Sequence, residues 1–582
     1  MTNQEIARIL YEMAALWDML GVEFKPRSYE KAAQGVEGFG DSLLEAYKKN
    51  GIKGLQEVPG VGKGIAGHIE ELLKTGHYTE YEELKKKIPV DISNLMRVQG
   101  LGPKNIKTLW EKLEIRNLDD LERAVKTQKI RALRQFGQKS EEKILRGLEF
   151  LKQSGGRQLL GTLLPEIRNL ETAISSFPEV ERAAFAGSAR RRKETVGDID
   201  LLAVSSKPDA VVERFLTLPA IDYVYGKGPT KINVRLKNGV DADLRIIPAE
   251  SFGAALCYFT GSKEHNIKLR EIAIKKGFKL NEYGLFKGDK QIAGRTEEEL
   301  YRALGLSYVE PELRESTGEI EAAREGRLPD LVNYGDLKGD LQVQTNWTDG
   351  EDTIEAMVDA AEQYGLEYIA ITDHTKSLAM TGGADEAKLL KQTAAIDQLN
   401  AKLRKQKRKF RVLKGAEVNI QKDGSLDIAD EALAKLDVVG VAVHSHFTLT
   451  REEQTRRVLR AIENPNADIF FHPSARSINR REPIAIDMEE VIRTAKRTGT
   501  ILEIDSLPDR LDLRDEYIRA CVESGVKMCI DSDAHSVSHF QFLELGTGQA
   551  RRGWATRKDI VNTLPVDDFL RSLKGSPQRR KG

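Results

Sequence analysis

The chain has 582 residues, which is enough for several domains that each bury a core of their own. Its 90 Lys and Arg residues balance 90 Asp and Glu residues, so the chain is not basic overall, and binding to a nucleic acid would depend on a local basic face. Three cysteines without metal-ligand spacing, and the lack of any apolar run of transmembrane length, argue against a disulfide scaffold or a membrane protein and favour a cytoplasmic one.

Residues from about 3 to 150 have the periodicity of helices. Near the start of the chain, apolar side chains recur three and four positions apart at Ile6, Ile9, Leu10, Met13, Leu16 and Trp17. Glycine turns follow at 59–62, 99–103 and 136–139. Each turn resembles a helix-hairpin-helix element, in which the amides that begin the next helix bind a DNA phosphate. A single Gly-x-Gly turn is explained equally well by a helix C-cap, but the repetition favours DNA contacts at Gly60, Gly62, Gly100 and Gly102.

The most informative segment is 187–201, which places a small turn and four consecutive cations ahead of two acids. Asp198 and Asp200 are two positions apart, so a β-strand would put both carboxylates on one face. Adjacent carboxylates repel each other unless a divalent cation lies between them, and Mg²⁺ typically binds one or two carboxylates together with substrate phosphates. A second acidic strand at 241–247 supplies a third acid. The pattern indicates two-metal nucleotidyl transfer; the alternative is an ordinary turn with solvated acids.

This segment resembles the signature of the family X DNA polymerases, the group of DNA polymerase beta. The resemblance continues in the family's order through 258–262, 265–266, 270 and 277–283. It implies that Asp198 and Asp200 bind both metals, Mg²⁺ or Mn²⁺, and that Asp243 completes the site that activates the primer 3′-hydroxyl. The implied contacts with the incoming dNTP are Gly187, Ser188, Arg191, Gly197, Tyr258, Phe259, Gly261 and Asn266. Arg270 is an implied DNA contact.

The first 85 residues resemble the eight-kilodalton domain of polymerase beta, in which a lysine forms a Schiff base with an abasic sugar. Aligned through residues 59–66, that lysine position is His68. The imine needs a primary amine, which a histidine cannot supply, so we expect His68 to be a helix residue beside the DNA 5′ end. The resemblance implies that Lys25, Tyr29 and Lys31 bind a 5′-phosphate.

Ligand-type side chains follow six apolar segments in the last third of the chain. They stand at 373–374, 417, 444–446, 472, 505 and 531–535. Helical segments separate them, so we expect a (β/α) barrel whose site lies at the C-terminal ends of the strands. Imidazoles and carboxylates that converge there suit Zn²⁺ or Mn²⁺. A single histidine after a strand would be ordinary polar surface, but six successive strand ends favour a metal site.

This half resembles the polymerase and histidinol phosphatase (PHP) domain, a distorted seven-fold barrel that holds up to three metals and hydrolyses phosphoesters. The family pattern begins with His-x-His after the first strand, where this chain has Gln342 and Gln344. An amide is a poor zinc ligand beside imidazole, so we expect weak, Mn²⁺-dependent hydrolysis. The implied ligand sets are Asp349, His374 and His535 for one metal, Glu417, His444 and His472 for another, and Asp533 with Glu417 around a weakened third site.

We therefore predict a multidomain protein with α-helical helix-hairpin-helix domains, an α+β polymerase-beta-like palm and a C-terminal distorted (β/α)7 barrel. A hinge is expected at 154–156 and a disordered tail at 576–582. The expected ranges are 1–85 for the eight-kilodalton-like domain, 86–154 for the helix-hairpin-helix domain, 155–250 for the palm, 251–315 for the nascent-base-pair subdomain, 316–335 for a polar linker and 336–575 for the PHP domain.

The expected function is the filling of short gaps during DNA repair, with gapped or primer-template DNA and dNTPs as partners. A weak 3′→5′ exonuclease or abasic-site endonuclease is expected in the barrel. In one alternative, the barrel is a non-catalytic module that positions DNA. In the other, the chain is mainly a phosphoesterase whose N-terminal half docks DNA, although three converging acids argue against a mere scaffold. We expect a monomer that does not bind membranes.

Overall fold

The computed structural model describes residues 1, 3–37, 39, 42–96, 98, 101–153 and 157–574. Gly100, the expected hinge at 154–156 and the expected tail at 576–582 lie outside these residues. The Cα positions divide the chain into two compact units, one of residues 1–156 with 477–482 and one of residues 157–476 with 483–582. Among the described residues, no helix combines the length and the apolarity that a membrane span requires.

The described part of the first unit is helical, as its apolar periodicity predicts. Its helices are α1 (Asn3–Met19), α2 (Lys25–Glu37), α3 (Leu43–Asn50), α4 (Ile52–Leu55), α5 (Lys63–Thr75), α6 (Thr79–Lys87), α7 (Ile92–Met96), α8 (Pro103–Leu113), α9 (Leu118–Lys126) and α10 (Gln138–Gln153). Leu10, Ala32 and Ile106 are fully buried in its common core. Helices α5 and α8 each begin after an extended glycine, and no described side chain caps either N-terminus.

Residues 157–247 form a mixed sheet with flanking helices. The elements are β1 (Gln158–Leu159), α11 (Leu160–Ser175), β2 (Arg182–Phe185), α12 (Gly187–Arg190), β3 (Thr195–Val196), β4 (Asp198–Val204), α13 (Pro208–Leu216), β5 (Ile221–Lys227), β6 (Lys231–Leu236) and β7 (Asp241–Ile247). The strand order is β2-β4-β7-β6-β5, with β4 and β7 parallel and the other neighbours antiparallel. Alternation buries Ile199 and Ala242 and turns the acids of both strands to the opposite face.

A smaller lobe follows the mixed sheet. Its elements are α14 (Phe252–Thr260), α15 (Lys263–Lys275), β8 (Lys279–Asn281), β9 (Gly284–Lys287), β10 (Lys290–Ala293), α16 (Glu297–Leu304) and α17 (Glu319–Glu325). The region expected as a polar linker, 316–335, instead contributes to the core of this lobe, because Ile320 and Ala323 are buried there. One of its charges is paired inside the protein: Glu319 is buried and lies 2.7 Å from His265 Nδ1. The sequence gives no sign of this pairing, since a paired charge and a solvated charge have the same composition.

Residues 339–572 form a barrel of seven parallel strands with helices outside it, as predicted. The elements are β11 (Gly339–Val343), α18 (Ile354–Tyr364), β12 (Tyr368–Ile371), α19 (Glu386–Lys405), β13 (Arg411–Asn419), α20 (Asp430–Leu433), β14 (Val438–Ala442), α21 (Arg451–Ile462), β15 (Ile469–Phe470), α22 (Met488–Thr498), β16 (Ile501–Asp505), α23 (Asp515–Ser524), β17 (Met528–Asp531), α24 (Leu543–Arg552) and α25 (Val566–Ser572). The strands pair in chain order. The first and last strands meet where Gln344 N donates to Ala534 O at 2.8 Å.

Candidate active site

Two parallel strands bring the acids of the first candidate site together. Asp200 on β4 is in register with Asp243 on β7, and Asp198 is in register with Asp241. Burial, together with the neighbouring carboxylates of Asp198 and Asp243, raises the pKa of Asp200 to about 7. A divalent cation would offset this repulsion, so the donor set fits Mg²⁺ or Mn²⁺.

The two acids of β7 have different neighbours. Both oxygens of Asp241 accept hydrogen bonds from Arg235, at 2.7 and 2.9 Å, which commits Asp241 to an ion pair. Asp243 accepts a hydrogen bond from the Asn233 amide and lies 3.8 Å from the Lys231 ammonium. Unlike the barrel ligands described below, these acids do not bring three ligand atoms within 4.8 Å of one another in the described structure.

The turn after β2 lies close to Asp200. Gly187 has a φ of +63°, and a Cβ atom there would lie 2.4 Å from Asp200 Oδ2. The amide of Ala186 donates to the Asp200 carbonyl at 2.8 Å, which fixes the turn to the strand. Only glycine fits this position, because any side chain would collide with the carboxylate. Gly197 is exposed, and its nearest neighbour is the Arg157 guanidinium.

Two of the four cations at 190–193 form ion pairs with acids that are not among the residues lining the cavity described below. Arg190 donates to both oxygens of buried Glu297, at 3.0 and 2.6 Å. Arg192 donates to Glu544 at 2.8 Å, and Glu544 belongs to the barrel half. These two cations therefore hold the structure together, whereas Arg191 and Lys193 line the cavity and share the carboxylate of Glu315.

A cavity of about 810 Å³ opens beside the acids, within the usual size range of ligand pockets. The expected contacts that line it are Gly187, Ser188, Arg191, Asp198, Asp200, Tyr258, Phe259, Gly261, Asn266 and Arg270. Asn266 Nδ2 donates to the Tyr258 carbonyl at 2.7 Å, and the Tyr258 and Phe259 rings meet edge to face. Lys263 and Arg157 also line the cavity, and Arg157 was not expected there, because it lies in no motif.

The barrel half supplies another part of the cavity wall. Its contributions are Arg514, Asp515, Glu516, Gln549 and Arg552. Arg552 Nη1 donates to the Arg191 carbonyl and to Glu315, both at 2.9 Å. Arg191 Nε donates to the same Glu315 oxygen at 2.9 Å. No motif marks these barrel residues, so sequence reasoning had no signal with which to find them.

The first unit holds the residues expected near a 5′-phosphate. Tyr29 is buried, and its hydroxyl lies 3.0 Å from His68 Nδ1 and 3.1 Å from the Tyr78 hydroxyl. Lys25 Nζ donates to Glu80 at 3.3 Å. Tyr29 and Lys25 therefore already have protein partners in this structure.

The glycines that directly precede α5 and α8 have open space beside them among the described residues. A Cβ atom on Gly62 or on Gly102 would meet nothing within 4 Å among the described residues. Gly60 has a φ of +74°, and a Cβ atom there would lie 2.6 Å from the Lys31 carbonyl. Open space in front of uncapped helix amides is the geometry that a phosphate needs.

The candidate ligands of the barrel form two groups that share His374. One group is Asp349, His374 and His535, and the other is His374, Glu417 and His444, with ligand atoms within 4.8 Å of one another in each. His374 Nε2 lies 3.5 Å from Asp349 Oδ2, and its Nδ1 lies 3.2 Å from Glu417 Oε2. The buried atoms Asp349 Oδ1, His374 Nδ1 and His444 Nε2 have no hydrogen-bond partner among the described residues. Imidazole nitrogens and carboxylate oxygens left this way fit Zn²⁺ or Mn²⁺.

The grouping around Glu417 differs from the expected one. His472 Nε2 and His444 Nε2 both approach Glu417 Oε1, at 2.8 and 3.0 Å. His472 is nevertheless outside both groups of converging ligands, and His374 takes its place beside Glu417 and His444. His374 can serve both groups because its two ring nitrogens face different carboxylates.

At the third family site, two glutamines stand where the family pattern has histidines. Gln342 and Gln344 are fully buried. Gln344 Nε2 donates to Glu417 at 2.8 Å, while both amide atoms of Gln342 lack a partner among the described residues. Asp533 Oδ2 instead faces the guanidinium of Arg510, 3.7 Å away.

Known proteins resemble the chain along its whole length. Family models match at 1–78 (helix-hairpin-helix domain), 52–113 and 92–149 (SAM-like helix-hairpin-helix tandem), 255–315 (DNA polymerase beta thumb) and 340–501 (PHP domain). The chain is 35% identical over 579 residues to the DNA polymerase/3′-5′ exonuclease PolX of Bacillus subtilis, covering 99% of this chain and 100% of that protein.

Two further relatives each match one half. DNA polymerase lambda of Rattus norvegicus is 25% identical over 54% of this chain and 56% of its own length. A probable phosphatase of Acetivibrio thermocellus is 31% identical over 31% of this chain and 73% of its own length. The predicted fold class and family resemblance are confirmed. The chain belongs to the PolX family, the family X DNA polymerases that carry a C-terminal PHP domain.

Proposed function

We propose that this polymerase fills short gaps in DNA by adding dNTPs to a primer 3′-hydroxyl, with Mg²⁺ or Mn²⁺ held by Asp198, Asp200 and Asp243. The observation that carries the proposal is the register of Asp200, which lines a large cavity, with Asp243 on the neighbouring strand. The metals would stabilise negative charge on the attacking and leaving oxygens. The three carboxylates would hold the metals in place.

The remaining cavity residues suit a nucleoside triphosphate. Arg191 and Lys193 provide the positive charge for its phosphates, and the Gly187 turn lets them approach the acids. Tyr258 and Phe259 offer ring surfaces to the sugar. Asn266 presents an amide to the base edge, held in place by its hydrogen bond to the Tyr258 carbonyl.

The first unit supports a preference for gapped DNA. Its open glycine turns at Gly62 and Gly102 suit phosphates of the DNA backbone, so they would bind DNA without reading sequence. Lys25 and Lys31 on α2 would bind the 5′-phosphate at the far side of a gap, in which case Lys25 must exchange its pairing with Glu80 for the phosphate. We propose that this gap filling takes part in base excision repair in the cytoplasm. The protein would act as a monomer.

The barrel is proposed to be a weak 3′→5′ exonuclease that depends on Mn²⁺ or Zn²⁺. The two ligand groups that share His374 support this second activity. Asp349 and Glu417 would hold the metals from opposite sides of His374. Abasic-site incision by the same groups is the other reaction open to them.

The polymerase proposal is tested on DNA with a one-nucleotide gap. Asp200→Ala should abolish nucleotide addition, while DNA binding should stay nearly unchanged because affinity comes from many backbone contacts. Asp241→Asn is the matched control, since Asp241 stands one strand away but is committed to Arg235. It should retain most activity. Primer extension that survives in Asp200→Ala would refute the assignment.

A second measurement on the same substrate tests the gap preference. Addition should be faster when the downstream strand carries a 5′-phosphate than when it carries a 5′-hydroxyl. Lys31→Gln should reduce that difference, whereas Lys129→Gln, on an exposed turn, should not. Equal rates with the two ends in the wild-type protein would contradict the proposed role of the first unit.

A further inference from the structure

An arginine of the barrel half lines the cavity of the polymerase half. Arg514 stands at the N-cap of α23 and belongs to the cavity wall together with the two residues that follow it. Among the described residues, its Nε atom has no hydrogen-bond partner. No motif of the sequence includes Arg514, and neither the metal sites nor the polymerase acids use it.

The backbone around Arg514 is fixed by hydrogen bonds on both sides. Gln549 Nε2 donates to the carbonyl of Leu513 at 3.2 Å, and Leu513 is fully buried. The amides of Tyr517 and Ile518 both donate to the Arg514 carbonyl at 3.0 Å. The side chain therefore extends from a fixed point, so only its own rotamers need to be ordered when it binds a ligand.

Arg514 stands on the phosphate side of the cavity. Asp515, the next residue, accepts a hydrogen bond from Arg552 Nη2. Arg552 Nη1 donates to the Arg191 carbonyl at 2.9 Å. Arg191 is one of the cations proposed to bind the triphosphate, so this chain of contacts places Arg514 near the phosphates.

Two other arginines of the cavity wall already donate to protein oxygens. Arg191 Nε donates to Glu315 at 2.9 Å, and Arg157 Nη2 donates to the Thr195 carbonyl at 2.5 Å. A triphosphate that binds these guanidinium groups must share them with the protein acceptors or displace the acceptors. Arg514 has no comparable hydrogen bond from Nε, so it can turn to a phosphate at a smaller cost.

The acid paired with Arg514 holds it weakly. Glu516 Oε1 lies 3.7 Å from Arg514 Nη1, which is beyond hydrogen-bond distance. The two side chains are 40% and 60% exposed, and ion pairs this exposed contribute little to stability. A phosphate can accept two parallel hydrogen bonds from one guanidinium and would displace Glu516.

We propose that Arg514 binds the terminal phosphates of the incoming dNTP, so that the barrel supplies part of the substrate site of the polymerase. In nucleotide addition, the primer 3′-oxygen bonds to the α-phosphorus, and the bond from that phosphorus to the bridging oxygen breaks. The two terminal phosphates leave together as pyrophosphate, and Arg514 would bind this product as well. The inference rests on the proposed binding of a dNTP in this cavity.

Inhibition of gap filling by pyrophosphate tests the contact in the full chain. At saturating DNA, Arg514→Gln should raise both the inhibition constant of pyrophosphate and the KM for dNTP about tenfold, as the loss of a charge-assisted contact does. Arg514→Lys should recover part of the loss. Arg497→Gln, which changes an exposed arginine of the same barrel, should leave both constants unchanged. An unchanged inhibition constant in Arg514→Gln would overturn the proposal.

Two comparisons separate a phosphate contact from a structural role. The matching dNMP lacks the terminal phosphates, so its inhibition constant should be the same in Arg514→Gln and in the wild type. Glu516→Gln removes the partner of Arg514 but keeps the guanidinium, so it should not weaken inhibition by pyrophosphate. Equal weakening of dNMP and pyrophosphate inhibition, or the same loss in both variants, would refute the contact. A wild-type chain that adds no nucleotide would instead contradict the proposed function.

Discussion

Arg552 in the barrel half donates a 2.9 Å hydrogen bond to the backbone carbonyl of Arg191, which lines the cavity of the polymerase half. The same Nη1 atom donates to Glu315 at 2.9 Å, and Glu315 also accepts a hydrogen bond from Arg191 Nε. One carboxylate thus serves two arginines, one from each half. Arg552 therefore affects how strongly Glu315 competes with a triphosphate for the Arg191 guanidinium.

Arg552→Met should weaken dNTP binding. Without Arg552, Glu315 is left to Arg191 and Lys193, and its negative charge competes with the triphosphate for them. We expect the KM for dNTP to rise about tenfold, the effect of roughly 1.4 kcal/mol, with a smaller change in kcat. Steady-state gap filling measures this. Arg557→Met, at an exposed position of the same barrel, is the control, and an equal KM in the two variants would contradict the coupling.

Gly187→Ala should remove nucleotide addition without unfolding the protein. The added Cβ would lie 2.4 Å from Asp200 Oδ2 and would displace the carboxylate. Gly239→Ala is a matched control, because Gly239 also has a positive φ, of +82°, but has open space around it. Both variants should lose about 1 kcal/mol of stability. Only Gly187→Ala should lose activity, by about 100-fold or more, and similar activity in the two would exclude the steric explanation.

His374→Ala should lower the metal content of the barrel more than His444→Ala does. His374 belongs to both ligand groups, whereas His444 belongs to one. Metal analysis of the Mn²⁺-loaded chain should therefore show the loss of both metals in the first variant and of one in the second. His77→Ala, an exposed histidine of the first unit, should change nothing. Equal losses in the two barrel variants would mean that the groups do not share His374.

The ion pairs of Glu297 should make stability depend on pH. Burial alone would raise its pKa, but Arg314 and Arg190 lower it from 4.5 to about 2. The contribution is therefore fully present above pH 4.5 and is lost as the pH falls through about 2. The shift corresponds to about 3 kcal/mol at neutral pH.

Glu297→Gln should accordingly lower the melting temperature at pH 7, and the difference from wild type should shrink below pH 4.5. Glu298→Gln, at the exposed neighbouring position, should leave the melting temperature unchanged at both pH values. Calorimetry of the full chain at pH 7 and pH 3.5 measures both. A difference that is constant with pH would show that the charge of Glu297 does not provide the stability.

Much of the architecture could be predicted because it depends on neighbouring residues. Helical periodicity predicted the first unit, and strand ends followed by histidines predicted the barrel. The spacing of Asp198 and Asp200 predicts that they share a face, since alternation along a strand is a local property. The motif at 258–262 was recognised from the order of its residues alone. These patterns were enough to identify the family.

The features of the sites that these patterns did not predict depend on contacts between residues far apart in the chain. Asp241 and Asp243 look equivalent in the sequence. The register of β4 with β7 places Asp243 beside Asp200, whereas Asp241 is paired with Arg235. The resemblance to the PHP pattern likewise predicts that Gln342 and Gln344 stand at two ligand positions, but only the tertiary structure placed Arg510 beside Asp533. Such pairs form when strands and loops far apart in the chain pack together, and side chains that meet in this way leave no periodic pattern in the sequence.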